Sequence, residues 1–397
     1  MLKSKNKKMK EIIDGIFYCG IHDKTRKIFD QLVPLPQGTT YNSYLVRGSE
    51  KSALIDTMYQ KFGGEYVDMI VASGVKLDYI VSNHAEPDHS GMIPKLLELF
   101  PDAAVYCSSK CSENLQNMLH IDAARLHVVA DGEELSLGGR TLKFYLTPWV
   151  HWPDTMFTHL VEDNLLFTCD FFGAHYTKNE VFADCSSDLA NSAKRYYAEI
   201  MMPFANFCAK YLAKTKELAP KMILPSHGPI YRGDDVAFIE NLYSEWTSGN
   251  SSKKVILAYV SMYDNTTLMA DYLENALVAK GLEVVKIDIM DIDEGEIAIE
   301  LVDAAGLIFG TSMVLTGPHP KSVYLAYLAN ILRPKLKFTS IIGSFGWGGN
   351  LALPINSMFT LTKPRQLSSV VVKGRPRRED FEKLDALAAE IKEAVSL

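Results

Sequence analysis

Apolar and polar positions along the chain change rhythm once. Before Ser248, short β-type apolar runs are bounded by turn residues: Ser43–Val46, Ala53–Ile55, Tyr79–Ser82, Ala104–Cys107, Leu142–Leu146, Leu165–Cys169 and Met222–Leu224. Helical spacing covers Gly91–Leu99 and Ser192–Ala213 between them. The mixture predicts a layered α/β unit. After Lys254 the rhythm becomes regular strand–helix alternation. Strands are predicted at Val255–Val260, Val284–Ile289, Gly306–Gly310, Phe338–Gly343 and Ser368–Val372. Helices are predicted at Thr267–Lys280, Glu294–Val302, Ser322–Leu332, around Asn350–Thr360 and at Arg378–Val395. In the first of these helices Leu268, Tyr272, Leu273, Ala276 and Leu277 share a face, and Gly281 is a natural stop. Five strands with intervening helices predict a doubly wound sheet. Between the two regimes Ser248, Gly249, Asn250, Ser251 and Ser252 break the apolar pattern as a linker does, which divides the chain into 1–250 and 254–397.

A length of 397 residues agrees with that division, since it exceeds one ordinary core. No apolar run approaches the ~18 residues that a membrane span needs. Met1 to Lys10 is basic with no apolar segment behind it, so it reads as a solvated tail and not as a secretory signal. The net charge of −7 argues against a nucleic-acid binder. The six cysteines contain no Cys-x-x-Cys pair, which excludes a disulfide framework and a four-cysteine iron site. They read as reduced thiols of a cytoplasmic protein.

The candidate chemistry sits at strand ends. His84-Ala85-Glu86-Pro87-Asp88-His89 packs four potential metal ligands into six residues after the strand Tyr79–Ser82. Pro87 is expected to exclude a helix and fix a turn, aiming His84 and Glu86 at one metal and Asp88 and His89 at another. The bland alternative, a solvated acidic loop, loses weight because matching ligands recur downstream. His151 lies in Pro148-Trp149-Val150-His151-Trp152-Pro153, Asp170 ends the strand Leu165–Cys169, and His227 follows the strand Met222–Leu224 before Gly228. Four imidazoles and three carboxylates without a thiolate suit a pair of divalent metals and disfavour copper(I) or structural zinc. Such pairs sit about 3.5–4 Å apart, a span that one bridging carboxylate closes. The residues alone leave zinc, iron and manganese open.

With this set in view, the chain resembles the flavodiiron proteins over nearly its whole length. The resemblance implies a metallo-β-lactamase-like αββα sandwich followed by a flavodoxin-like domain. Dizinc hydrolases of the first fold use His-x-His-x-Asp-His, and here Glu86 replaces the second imidazole. By resemblance His84, Glu86 and His151 hold one iron, Asp88, His89 and His227 hold the other, and Asp170 bridges. In similar proteins the position of His89 can swing away from the metal. His22 and a tyrosine of Tyr196-Tyr197 are implied as hydrogen-bond donors to a bound gas, with Tyr196 taken as the candidate; the alternative for the tyrosines is a core helix face.

The second half fits the same resemblance. Ser261-Met262-Tyr263-Asp264-Asn265-Thr266-Thr267 lies between a strand and a helix and is similar to a flavodoxin FMN phosphate loop, with Asp264 where glycine is usual. Gly310-Thr311-Ser312-Met313 and Ser344-Phe345-Gly346-Trp347-Gly348-Gly349 would flank the isoalloxazine ring, with Trp347 stacked on it or serving as a core plug. The segment Val314–Pro320 departs from the family's asparagine-containing loop.

The resemblance implies an oxidoreductase with FMN and a non-haem diiron centre. It would reduce O2 to water, NO to N2O, or both, as a head-to-tail homodimer or a tetramer. Its electrons would come from rubredoxin or a similar carrier. Two alternatives compete: a dizinc hydrolase with a flavodoxin-like module, against which Glu86 argues, and an electron carrier without metal chemistry, against which the complete ligand set argues.

Overall fold

The computed structural model describes residues 9–178, 180–249 and 252–396. Most of the basic tail and, in the linker, Asn250 and Ser251 lie outside the described residues. Two compact units emerge, one built chiefly from Leu35–Tyr197 and Phe204–Thr247, the other from Ser248 onward. The segments Leu32–Pro34 and Ala198–Pro203 are grouped with the second.

The first unit stacks two sheets. A seven-stranded sheet runs Lys10–Ile13, Ile16–Tyr18, Tyr44–Arg47, Ser52–Ile55, Tyr79–Ser82, Ala104–Cys107 and Leu126–Val128. A six-stranded sheet runs Glu134–Ser136, Thr141–Leu146, Met156–Leu160, Leu165–Cys169, Met222–Pro225 and Tyr231–Arg232. The period of two decides the layering. Tyr44, Val46, Ala53 and Ile55 from one sheet join Leu142, Phe144, Leu165 and Phe167 from the other in one core. Each fully buried phenylalanine there contributes about 1.5–3 kcal/mol relative to exposure. The residues between them, such as Leu45, Leu54 and Leu166, point the other way and are equally buried, so both sheets need an outer helical layer. This is the αββα sandwich.

In the second unit five parallel strands run Glu283–Asp288, Lys254–Tyr259, Gly306–Val314, Phe338–Phe345, Arg365–Lys373, and the short strand Gly317–Pro318 pairs antiparallel with Gly306–Val314. In chain order the five are 2-1-3-4-5, the flavodoxin arrangement. Val255, Leu257, Ile308 and Ile342 on one face pack with Met269, Leu273 and Leu277 of the helix Asn265–Ala279 and with Leu384, Leu387 and Ile391 of the helix Arg378–Ser396.

Three predicted elements change. Pro87 does not exclude a helix; it occupies the first position of the helical turn Pro87–Ser90, where its missing N–H has no intrahelical partner to lose. The stretch Ser192–Ala213 is not one helix. A helix Ser187–Tyr196, capped by Ser186 Oγ accepting from Leu189 N–H, passes through a wide π turn at Tyr197–Met201 and a tight turn at Met202–Phe204 before Ala205–Leu218. Pro203 removes a donor from the helical ladder at this break. The helix around Asn350–Thr360 contracts to Ala352–Asn356, started by Asn350 Oδ1 accepting from Ala352 and Leu353 N–H.

Candidate metal centre

Strand pairing brings the ligands together. Leu165–Cys169 and Met222–Pro225 are parallel neighbours, with Cys169 opposite Pro225, so the residues just beyond them, Asp170 and His227, emerge side by side. Ser226 N–H donates to the Cys169 carbonyl at 2.7 Å and locks the two ends. His84 leaves the other sheet, and Met156 N–H donates to the Asn83 carbonyl at 3.0 Å, tying the His151 loop to it.

Two ligand sets result. Ligating atoms of His84, Glu86, His151 and Asp170 all lie within 4.8 Å of one another, as do those of Asp88, His89 and His227. Asp170 spans both. Its Oδ2 lies 3.7 Å from His84 Nε2 and 3.5 Å from His151 Nε2, and its Oδ1 lies 3.1 Å from His89 Nε2 and 3.6 Å from His227 Nε2. Glu86 Oε2 lies 3.1 Å from His84 Nε2 and 3.3 Å from His151 Nε2. The Nε2 atom of His89 faces inward with the rest.

The donor set fits cations better than it fits itself. Asp88 is buried, with Oδ1 3.3 Å from His89 and Oδ2 3.2 Å from His227, yet neither oxygen makes a directed hydrogen bond. Lone pairs that crowd a shared point without pairing are the arrangement that a metal satisfies. Protonation points the same way. Burial depresses His89 and His151, but Asp170 and Asp88 push His89 up to about 10, and Asp170 and Glu86 push His151 up to about 9. Burial raises the Asp170 carboxyl, yet His89 and His151 hold it well below the usual carboxylate range. The buried carboxylates demand positive charge, which protons or metal ions supply.

Several supporting side chains gave no sequence signal of their own. Asp154 accepts from His84 Nδ1 at 3.1 Å and from Ala85 N–H at 2.9 Å, fixing the ring so that Nε2 faces the cluster. His227 Nδ1 donates to the Thr40 carbonyl at 2.5 Å. Gly228 has φ +81°, and a Cβ there would press on the Ala174 carbonyl, so the His227 loop requires glycine. Cys169 adds a thiol that the spacing had not suggested, with Sγ 3.8 Å from Asp170 Oδ2. Burial, then Asp56 and Asp170, push its pKa well up and keep it protonated.

The two tyrosines separate. Tyr196 Oη donates to Asp170 Oδ1 at 2.8 Å, whereas Tyr197 Oη donates to the Trp246 carbonyl at 3.3 Å. His22 is not among the converging side chains; its Nε2 lies 3.2 Å from Tyr18 Oη, and it lines a separate cavity of about 80 Å³ with Tyr18, Thr40 and Gly228. Rings that pack against His227 include Phe29, at 5.6 Å between centroids, and Tyr41, at 5.8 Å. His175 lies beside Phe29, and burial, then His227, holds this imidazole well below its ordinary pKa.

These observations frame the comparisons. A family model described as ODP family beta lactamase matches residues 39–228. The nitric oxide reductase of Moorella thermoacetica is 35% identical over 96% of this chain and 97% of its own length. The rubredoxin-oxygen oxidoreductase of Megalodesulfovibrio gigas is 32% identical, covering 97% and 98%. The chain belongs to the flavodiiron protein family. Among solved structures, the rubredoxin oxygen:oxidoreductase of Desulfovibrio gigas superposes with a TM-score of 0.93 at 32% identity, covering 98% of this chain and 99% of that one. The flavodiiron protein of Giardia intestinalis gives 0.89 at 27%, covering 99% and 98%. Against these full-length relatives the hydrolase alternative has no support.

The flavodoxin-like half of this flavodiiron chain carries its own open positions. Asp264 adopts φ +60°, the left-handed conformation that glycine usually supplies, just before the helix Asn265–Ala279. Ser261 Oγ accepts from Thr267 N–H at 3.4 Å, closing the loop. The hydroxyls of Thr266 and Ser312 are buried without a hydrogen-bond partner among the described residues, which suits a phosphate and the polar edge of a ring. Thr311 Oγ1 is engaged within the fold, accepting from His319 N–H at 3.1 Å. Met262, Tyr263 and Trp347 are exposed, and at 66% exposure Trp347 is not a core plug. Ser344 and Phe345 end their strand, and Gly346, Gly348 and Gly349 follow in the adjoining loop. Among the described residues, no helix is long and apolar enough to cross a membrane.

Proposed function

We propose that the chain is an oxidoreductase that reduces O2, NO or both at a diiron centre, using electrons delivered through FMN. The observation that carries the reading is Asp170, one buried carboxylate whose two oxygens face two complete ligand sets. His84, Glu86 and His151 hold one metal, Asp88, His89 and His227 the other, and Asp170 bridges. The loop Ser261–Thr266 holds the FMN phosphate, while Thr311, Ser312 and Ser344–Gly349 surround its ring. Full-length similarity to proteins named nitric oxide reductase and rubredoxin-oxygen oxidoreductase supports the substrates and points to rubredoxin or a comparable carrier as donor.

When bound, iron supplies the redox chemistry and FMN the electrons; the residues supply position, charge and protons. Glu86 replaces a neutral ligand with a charged one, which favours the more oxidised metal. Asp154 and the Thr40 carbonyl fix the orientation of His84 and His227. Tyr196 holds the bridging carboxylate in place. Buried aromatic walls, including Phe29 and Tyr41, limit water around His227. A head-to-tail homodimer belongs to this reading, since the flavin of one subunit would then serve the metals of the next.

The test is metal and flavin analysis with anaerobic reduction. About two irons and one FMN per chain, and consumption of O2 or NO when reduced rubredoxin is supplied, are expected. Zinc occupancy with esterase activity and no gas consumption would overturn the proposal. Parallel turnover with the two gases decides between them.

A further inference from the structure

His175 is the group beside the metal ligands that this reading leaves without a task. It lies five residues after Asp170 on a loop tied to the next strand end, because Ala174 N–H donates to the His227 carbonyl at 3.2 Å. Only 4% of the residue is exposed. Its ring packs 4.8 Å from Tyr196, 5.3 Å from His227 and 4.8 Å from Phe29, centroid to centroid. Nδ1 lies 2.9 Å from Thr39 Oγ1, and Nε2 has no hydrogen-bond partner among the described residues.

The Thr39 contacts admit two tautomers. Its hydroxyl has one proton, with His175 Nδ1 at 2.9 Å, the Thr40 carbonyl at 3.3 Å and His227 Nδ1 at 3.4 Å in range. His227 Nδ1 is itself a donor to the Thr40 carbonyl, so it does not accept. With that proton on the Thr40 carbonyl, His175 Nδ1–H donates to Thr39 Oγ1 and Nε2 is a bare acceptor. With it on His175 Nδ1, the shorter contact, the neutral ring carries its own proton on Nε2. In that form the buried Nε2–H, which has no protein partner among the described residues, calls for an acceptor. Tyr196 and Cys169 donate to Asp170, Asp154 accepts from His84, and the unpartnered Asp88 oxygens face His89 and His227. His22, the donor that the resemblance implied, is turned toward Tyr18, and Phe29 stands beside His227.

We propose that His175 Nε2–H is the hydrogen-bond donor to the diatomic molecule taken up at the metal centre. This rests on the diiron reading. It assigns Thr39 as the residue that positions the donor, and it makes Phe29 an apolar wall of the same pocket.

The test uses full-length, iron- and FMN-loaded protein, reduced anaerobically and exposed to NO, with the N–O stretch read by infrared spectroscopy in H2O and D2O. His175→Phe is expected to keep its iron, to move the stretch to higher wavenumber and to lose the D2O sensitivity seen in the parent. His175→Gln, which keeps an N–H, should recover part of both. Thr39→Val should broaden the band, since the ring loses its contact at Nδ1. An unchanged stretch and D2O response in iron-replete His175→Phe would overturn the proposal. So would loss of iron from both His175 variants, which would make the imidazole a metal-holding group. Failure of the diiron reading shows separately, as parent protein that holds no iron and gives no N–O band.

Discussion

Tyr196 Oη lies 2.8 Å from Asp170 Oδ1, the carboxylate oxygen that also faces His89 and His227. Burial raises the tyrosine pKa, with Asp170 adding to it, so the phenol stays protonated and remains a donor. Hydrogen bonds to charged groups contribute about 1.5–3 kcal/mol. Tyr196→Phe should therefore weaken metal retention on the order of tenfold or more, with FMN content unchanged. Competition with a chelator against the parent protein measures this. Equal retention in the two proteins would show that the contact carries no energy.

Asp170→Asn removes the charge that both ligand sets share. Most of the metal should be lost from both positions, while the flavodoxin-like unit keeps its flavin. Elemental analysis beside the visible flavin spectrum reads both at once, and full iron content in the variant would refute the bridge.

Asp154 acts through His84 without facing the metal position itself. Asp154→Ala frees the His84 ring and leaves Ala85 N–H without its acceptor. Losing an orienting carboxylate of this kind costs about 10–100-fold in metal affinity. The metal held by His84, Glu86 and His151 should leave first, giving about one metal per chain at intermediate chelator concentration. Simultaneous loss of both metals would count against separate sites.

Gly349 has φ +84°, and a Cβ there would run into the Thr316 carbonyl. Gly349→Ala should displace the loop Gly346–Gly349 and lower FMN affinity while leaving iron content unchanged. Flavin titration of the apoprotein is the measurement, and parental affinity in the variant would remove this loop from the flavin site.

Asp78 gives a pH dependence remote from the metal centre. It accepts from Ser52 N–H and Lys51 Nζ, both at 3.0 Å, and ties two strands of the seven-stranded sheet. Burial raises its carboxyl, but Lys51 and Ser52 hold it below the ordinary value. With the folded value below the unfolded one, its contribution is present above about pH 4 and disappears as pH falls through the folded value. Asp78→Asn should cost about 0.5–1.5 kcal/mol at neutral pH, and the gap should close in acid. Urea midpoints at both ends of that range check it; a gap that widens in acid would reverse the sign.

Much of this was readable from one dimension. The clustering of the seven candidate side chains was legible because imidazoles and carboxylates at strand ends are costly to place and hard to explain otherwise. The regular alternation after Lys254 was legible because parallel strands buried on both faces form compact apolar runs. The break after Tyr196 was not, since the apolar spacing on either side fits one helix and a wide turn leaves no compositional mark. Pro87 misled because proline forbids a helix interior yet favours its first position. Phe29 beside His227 had no mark in the sequence, because which residue reaches a distant loop depends on where the chain turns.

The sequence alone determined the chemistry available: hard donors for two cations, and hydroxyls and glycines for a flavin. Those are properties of side chains and their local spacing. Only the tertiary structure decided who serves whom. It gave Asp170 to both ligand sets, Tyr196 and not Tyr197 to Asp170, and Asp154 to His84, and it set His175 beside Tyr196 and His227. Such assignments span 136 residues from Thr39 to His175 and 187 from Thr40 to His227. Hydrogen bonds demand alignment within a few tenths of an ångström, and that alignment exists only once the sheets have paired.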